Sequence, residues 1–338
     1  MSPLPSYAVP ATLAYRVASA PPRPALQELG GPTMGTHWSV KYWFASARLA
    51  PPRAALRAAV EAALERVVAQ MSPWEADSDL SRYNRAAPGA WQTLPEPFFT
   101  VLRCALELAH DSDGAFDPSV APAVDLWGFG PAPARGDVPA AAALAAARAR
   151  IGWRRIAIDA AFRRVQQPGG CALDLSGIAK GHAVDAVVQA LRDLGCEQAL
   201  VEVGGELYGL GRRPDGRPWQ VAVQLPGFAD GAGPVLALGG RAIATSGDDF
   251  RRYRADGTDY SHTLDPRSGW PVCNGLASVS VVHAECMRAD ALATALTVLG
   301  PEAGWAYAER HGLAALFLRR GAEGLEARLT ESFAELLA

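Results

Sequence analysis

The chain is 338 residues long, 49% hydrophobic and 20% charged, with 35 acidic residues against 32 Lys and Arg, a formal net charge of −3. That balance describes a globular chain, excludes a disordered one, and provides no basic stripe to neutralise nucleic-acid phosphates, so no nucleic-acid partner is expected. The five cysteines, Cys104, Cys171, Cys196, Cys273 and Cys286, are odd in number and form no C-x-x-C pair, which argues against a disulfide framework and a zinc site and fits a reducing compartment.

The first stretch, "MSPLPSYAVPATLAYRVASAPPRPALQELGG", has no basic region followed by an unbroken apolar run, because Pro10, Thr12, Tyr15 and Arg16 interrupt it. No signal peptide is read there, and residues 1–29 are expected to form a loosely ordered leader ahead of one domain over 30–338. "PPRAALRAAVEAALERVVAQ" places Leu56, Val60, Leu64 and Val67 at helical spacing. "EPFFTVLRCALELAHDSDG" repeats that pattern and ends at Gly114, and "DVPAAAALAAARARIG" predicts a third, peripheral helix. "RRIAIDAAFRRVQQPGGCALDL" alternates like a hairpin of strands, and a helix over 179–194 leads into one strand, "QALVEVGGELYGLG".

Beyond Gly211 short apolar runs and turn signals predict antiparallel strands: "WQVAVQLPG", "VLALGGRAIATSG", "DYSHTLDPRSGWPV" and "LASVSVVHA". A helix follows at "MRADALATAL", a second at 301–310, and a last strand at "AALFLRR". Helices and strands neither alternate strictly nor segregate, so the expected class is α+β, with mixed, largely antiparallel sheets and packed helices. No run approaches the roughly 18 consecutive apolar residues of a membrane span.

No G-x-x-x-x-G-K-[ST], no strand-to-helix G-x-G-x-x-G and no H-E-x-x-H occurs. Two stretches carry chemistry instead. In "LDLSGIAKGHAVD" a strand end at Asp174 runs into Gly177 and a helix start with Lys180, where free N–H groups, the helix dipole and a movable ammonium suit a phosphate. The same residues also suit a plain strand-to-helix turn with a solvated Lys. In "MRADALATAL" Asp290 and Thr294 stand four residues apart, so their oxygens stack on one helix face and can converge on a metal ion. An N-capping Asp followed by a Thr bonded back to its own helix is the other reading.

The series "MGT" at Met34, "FDPSV", "LWGFGP", "DLSGIAKG", "VGGELYGLG", "ATSGD", "SHTLDPRSG" and "ADALATALTVLG" resembles, in order and spacing, the ApbE family of FAD:protein FMN transferases from about Gly30 to near the C-terminus. The resemblance implies a Mg2+-dependent enzyme that binds FAD as substrate, transfers its FMN half to a Ser or Thr hydroxyl of an acceptor protein and releases AMP. It implies metal ligands at Asp290, Thr294 and the Gly177 carbonyl, all oxygens, as a hard cation requires.

FAD contacts implied in the same way fall on Met34, Trp74, Phe116, Asp117, Asp174, Lys180 and the backbone of Leu264. Trp74 stands where the family often has Tyr, and either ring can stack on the cofactor. Asp117 also suits an Asp-Pro turn. His262 is implied near the reacting phosphate, as general base for the acceptor hydroxyl or as a clamp on the diphosphate, and with Asp290 forms the expected catalytic pair. Hydrolysis of FAD to FMN and AMP, or flavin binding without catalysis, are the alternative activities. Many family members are exported lipoproteins with an anchoring Cys, whereas the first cysteine here is Cys104; the expected compartment is the cytoplasm, with the periplasm as alternative.

Overall fold

The computed structural model describes residues 25–46, 50–131, 137–227, 233–248, 252–255, 258–322 and 324–338. Its centre is an eight-stranded sheet in which every neighbouring pair is antiparallel. From one edge the order is β1 (Gln27–Thr33), β2 (Thr36–Tyr42), Ala199–Val203, Glu206–Leu210, Arg241–Gly247, Leu276–His283, Ala314–Gly321 and Gly324–Leu329. The helices are α1 (Arg53–Met71), α2 (Asp79–Asn84), α3 (Glu96–Asp111), α4 (Ala121–Leu126), α5 (Ala141–Arg148), α6 (Ala179–Asp193), α7 (Cys286–Arg310) and α8 (Glu331–Ala334). The molecule is α+β as expected, and among the described residues no helix is long and apolar enough to cross a membrane.

Both faces of the sheet are covered, so the strand Leu276–His283 is buried on both sides. Successive side chains of a strand point to opposite faces. Val279, Val281 and Phe317 therefore enter the main core with α1, α3, α6 and α7, while Val282, Leu316 and Leu318 enter a second core closed by Phe333 of α8 and the hairpin Trp219–Ala222/Val235–Leu238; a shift in register between Leu276 and Ser278 puts Ala277 in that second core as well. This explains the nearly continuous apolar run "LASVSVVH". A third, small cluster gathers Ala123, Trp127, Leu144 and Leu264 around α4.

The helices over 53–71, 96–111 and 141–148 form where the periodicity predicts them, and α5 is peripheral, burying only Leu144 and Ala147. Ile158–Asp159 and Arg164–Gln166 pair as the expected hairpin. Three local readings change. "QALVEVGGELYGLG" is two strands folded on each other, because Gly204 and Gly205 take φ of 61° and 101° and turn the chain. "GPTMGTHWSV", for which no element is read above, belongs to the β1–β2 hairpin, turned by Met34 and Gly35 at φ 47° and 70°. The strand Gly324–Leu329 and α8 appear where no element was read; that strand is mostly exposed at the sheet edge, although Leu325, Ala327 and Leu329 alternate with Glu326 and Arg328 as strand residues do. The two helices expected near 287 and 301–310 are the halves of α7, bent where Gly300 has φ 83° ahead of Pro301. Of the leader expected over 1–29, residues 1–24 lie outside the described residues, and Gln27–Leu29 belong to β1, with Leu29 in the core.

α6 and α7 cap each other. The N-terminus of α6 has no side-chain cap of its own; the Gly181 N–H donates to Asp290 Oδ2 of α7 at 2.9 Å. In return Asp185 of α6 accepts from the Cys286 and Met287 N–H groups at the start of α7, both at 2.9 Å. The approach is so close that a Cβ on Gly181 would overlap the Cys286 carbonyl oxygen and lie 2.8 Å from the Asp290 Cβ. Gly181→Ala is therefore expected to destabilise the fold by a net ~1–3 kcal/mol, even after the ~1 kcal/mol that Ala gains in helix propensity. The urea midpoint at constant m measures it, and an unmoved midpoint would show that the helices can separate at no cost.

Candidate active site

The loop Asp174–Ile178, the segment Phe116–Ser119 and α7 meet at Gly177. A Cβ there would lie 3.0 Å from Thr294 Oγ1 and 3.4 Å from Phe116 Cε2. The loop is fixed by the Asp174 N–H, which donates to the Pro118 carbonyl at 2.8 Å, and by Asp174 Oδ1, which accepts from the Ser176 N–H at 2.7 Å. Burial pushes the Asp174 carboxyl above the usual carboxylate range.

Three oxygens at this junction are uncommitted. The Thr294 hydroxyl makes no hydrogen bond among the described residues, whereas that of Thr297, in the next turn, donates to the Ala293 carbonyl at 2.8 Å. The self-bonded helical Thr is thus Thr297. Asp290 is buried and uses Oδ2 for the Gly181 N–H, and its Oδ1 accepts nothing among the described residues. It does not cap its own helix, lying in the second turn of α7. The Gly177 carbonyl likewise accepts nothing among the described residues. One carboxylate, one hydroxyl and one carbonyl form a hard-oxygen donor set of the kind Mg2+ takes, leaving further positions for water or phosphate oxygens.

Beside them, Lys180 pairs with Glu206, which is 2% exposed, while 33% of the Lys180 side chain stays open. Gly204, at φ 61°, makes room: a Cβ there would meet Lys180 Cδ at 3.3 Å and Thr36 Cγ2 at 2.9 Å. Burial works against the ammonium, but the Glu206 and Asp290 carboxylates outweigh it and hold the Lys180 pKa above its ordinary value. Burial, with the nearby Asp290 charge, pushes Glu206 up to about 7 against the pull of Lys180. Burial also raises Asp290, again against Lys180. Two buried carboxylates answer one ammonium, which leaves the cluster short of positive charge.

The expected phosphate cradle of free helix N–H groups is narrower than the sequence suggests. At the start of α6 the Ala179 N–H donates to the Leu175 carbonyl, the His182 N–H to the Ile178 carbonyl and the Gly181 N–H to Asp290. Those three donors are already engaged, so the backbone N–H and the ammonium of Lys180 are the anion-binding groups that remain at this helix start among the described residues.

Asp117 is also engaged. Its Oδ1 accepts from the Ser119 N–H and hydroxyl at 2.8 and 2.6 Å, and its Oδ2 from the Trp153 N–H at 3.1 Å. It closes the Asp-Pro turn and, through it, sets the Phe116 ring beside Gly177. Leu264 is buried in the small cluster around Trp127, on a two-residue strand paired with Trp270–Pro271. His262, two residues before it, is half-buried with its ring edge-on to Phe129 at 6.4 Å. Met34 sits in the β1–β2 turn, and Trp74 is 53% exposed. Contacts thus join Phe116, Gly177 and Thr294 directly, Asp290 holds the N–H of Gly181 next to Lys180, and the loop hydrogen bond links Asp174 to them. His262 and Leu264 stand in a separate aromatic layer around α4, and Met34 and Trp74 lie on turns.

Glu206, Gly181 and Asp185 carry the geometry and escaped the sequence reading. For Glu206 a signal existed: in "VGGELYGLG" a charged residue occupies an inward position of an apolar strand, a place charges take only when paired.

A family model described as the ApbE family matches residues 34–317. An FAD:protein FMN transferase of Vibrio cholerae is 37% identical over 324 residues, 94% of this chain and 94% of that protein. One from Haemophilus influenzae is 32% identical and spans 99% of both. The apo form of the flavinyl transferase ApbE of Pseudomonas stutzeri superimposes with a TM-score of 0.85 at 40% identity, covering 93% of this chain and 97% of that one. Fold and site therefore define an enzyme of the transferase class. The chain belongs to the ApbE family.

Lys180→Met strands the Glu206 and Asp290 carboxylates without their shared ammonium. The expected loss of stability is about 2–4 kcal/mol, below the figure for a fully buried pair because water reaches the open side of Lys180. Urea denaturation measures it, and a loss under about 1 kcal/mol would mean that the two carboxylates do not depend on Lys180.

Proposed function

We propose that the chain is a Mg2+-dependent FAD:protein FMN transferase, which moves the FMN half of FAD onto a Ser or Thr hydroxyl of an acceptor protein and releases AMP. The observation that carries this reading is the trio of uncommitted oxygens at Gly177, Asp290 and Thr294 beside the open ammonium of Lys180, in a chain whose relatives bear that activity in their names. Asp290, Thr294 and the Gly177 carbonyl would hold Mg2+, which supplies positive charge to offset that of the diphosphate oxygens.

The protein's own residues do the rest. Lys180, oriented by Glu206, binds the diphosphate from the open side and stabilises the leaving AMP phosphate. The Phe116 ring, set by the Asp117 turn, shields that junction from water on one side, and Trp74 and Met34 offer apolar surface to the flavin. His262 accepts the proton of the acceptor hydroxyl as its oxygen bonds to the FMN phosphorus and the bond from that phosphorus to the AMP oxygen breaks.

Incubation of candidate acceptor proteins with FAD and Mg2+ should give acceptors heavier by one FMN, with AMP released in equal amount, as read by mass spectrometry and nucleotide analysis. AMP release without a modified acceptor would instead identify an FAD hydrolase, and failure to bind FAD would end both readings.

Asp290→Asn retains an oxygen for the Gly181 N–H and removes the charge, so transfer should fall by at least about 10²-fold at ordinary Mg2+ while the far-UV spectrum is kept. Thr294→Val should raise the Mg2+ requirement about tenfold; the same change at Thr297 should leave it alone, a control for helix effects.

His262→Asn should slow single-turnover transfer about 10²-fold with the FAD dissociation constant within a few-fold of wild type, as a general base requires. Affinity falling in step with rate would make His262 a diphosphate clamp.

A further inference from the structure

Glu206 is the most buried charge of the cluster and touches neither the proposed cation ligands nor open solvent. It sits directly after the Gly204–Gly205 turn on an inward position of its strand, with Oε1 on Lys180 and Oε2 buried and accepting no hydrogen bond. A carboxylate buried with half of its acceptor capacity unmet is costly, and a leucine in its place would relieve that cost.

Pairing Lys180 does not require Glu206, since Asp290 is near enough to act on the same ammonium. What Glu206 changes is where that ammonium rests. Without it, the long, flexible Lys180 side chain has one carboxylate left to answer, Asp290, and an ammonium drawn there competes with any cation for the same oxygen.

We propose that Glu206 is a positioning residue for the cation site: by holding the Lys180 ammonium to itself it keeps Asp290 Oδ1 unpaired and its charge available to a divalent cation. The proposal rests on reading Asp290, Thr294 and Gly177 as the cation ligands. In formal charges the cluster of one ammonium and two carboxylates sums to one net negative charge, so a bound divalent ion would leave it with one net positive charge facing the diphosphate. With Glu206 neutral, the same cluster is already balanced and attracts a divalent ion weakly.

The test is calorimetric titration of the full chain, free of FAD, with Mg2+ alone, and with Mn2+ followed by electron paramagnetic resonance. Glu206→Gln should weaken the cation about tenfold or more, the scale on which partners of metal ligands act. Its urea midpoint should stay at or above that of the wild type, so that the loss is not one of folding. Adding Lys180→Met to Glu206→Gln removes the competing ammonium and should restore cation affinity to within about threefold of the wild type, a rescue that a merely structural role for Glu206 would not produce. An unchanged cation affinity in Glu206→Gln, or a double variant as weak as the single, overturns the proposal while leaving the transferase reading standing. Cation binding that survives unaltered in Asp290→Asn overturns the ligand assignment itself, and this inference with it.

Discussion

The close approach of α6 and α7 at Gly181 governs the candidate site. A residue with no side chain lets the Cys286 carbonyl come within contact of the α6 backbone, and at that distance each helix satisfies the orphan N–H groups of the other: Asp290 takes the Gly181 N–H, and Asp185 takes those of Cys286 and Met287. Buried unpaired N–H groups are costly, so the crossing cannot slide without losing three hydrogen bonds. The same crossing presents Thr294 to Gly177 and Asp290 to Lys180. Chemistry and helix packing are thus one arrangement, and Asp290 serves both through its two oxygens.

The cluster built on that crossing is electrostatically uneven. Two carboxylates around one ammonium in a poorly hydrated place are less stable than an apolar filling of the same shape, and the raised carboxyl pKa values of Glu206 and Asp290 record that strain. Functional sites are where such local inconsistency is expected to persist. By contrast Asp117, equally buried, has every oxygen answered by a loop donor, and its role is to close a turn. Among acidic residues of similar burial, uncommitted oxygens separate those available to a ligand from those engaged in the scaffold.

A second layer surrounds α4. Trp127 packs on Tyr260 and Trp270 with ring centroids 5.1 and 5.3 Å apart, its indole N–H donates to the Gly269 carbonyl at 2.9 Å, and Leu264 lies in the same cluster. This aromatic packing holds the segment that carries His262, whose ring meets Phe129 edge-on. A polar loop with little regular structure of its own thereby gains a defined place, the usual way in which rigid scaffolds support functional loops.

The long helices were legible in the chain because an apolar face must recur with the helical period: Leu56, Val60, Leu64 and Val67 mark α1 without knowledge of its neighbours, and the Asp290–Thr294 spacing placed two oxygens on one face. The ordered series of motifs was enough to recognise the family. Tertiary structure alone decided what those oxygens face. Whether Asp290 caps its own helix or another, whether Thr294 or Thr297 bonds back to the backbone, and whether the first N–H groups of α6 are open to phosphate depend on partners more than a hundred residues away for Asp290 and on loop geometry for the others. Glu206 shows the limit most plainly. Its inward position in a strand is visible in the pattern, but its pairing with Lys180 across 26 residues exists only once the Gly204–Gly205 turn has folded the strand back, because two charges interact through space and not along the chain.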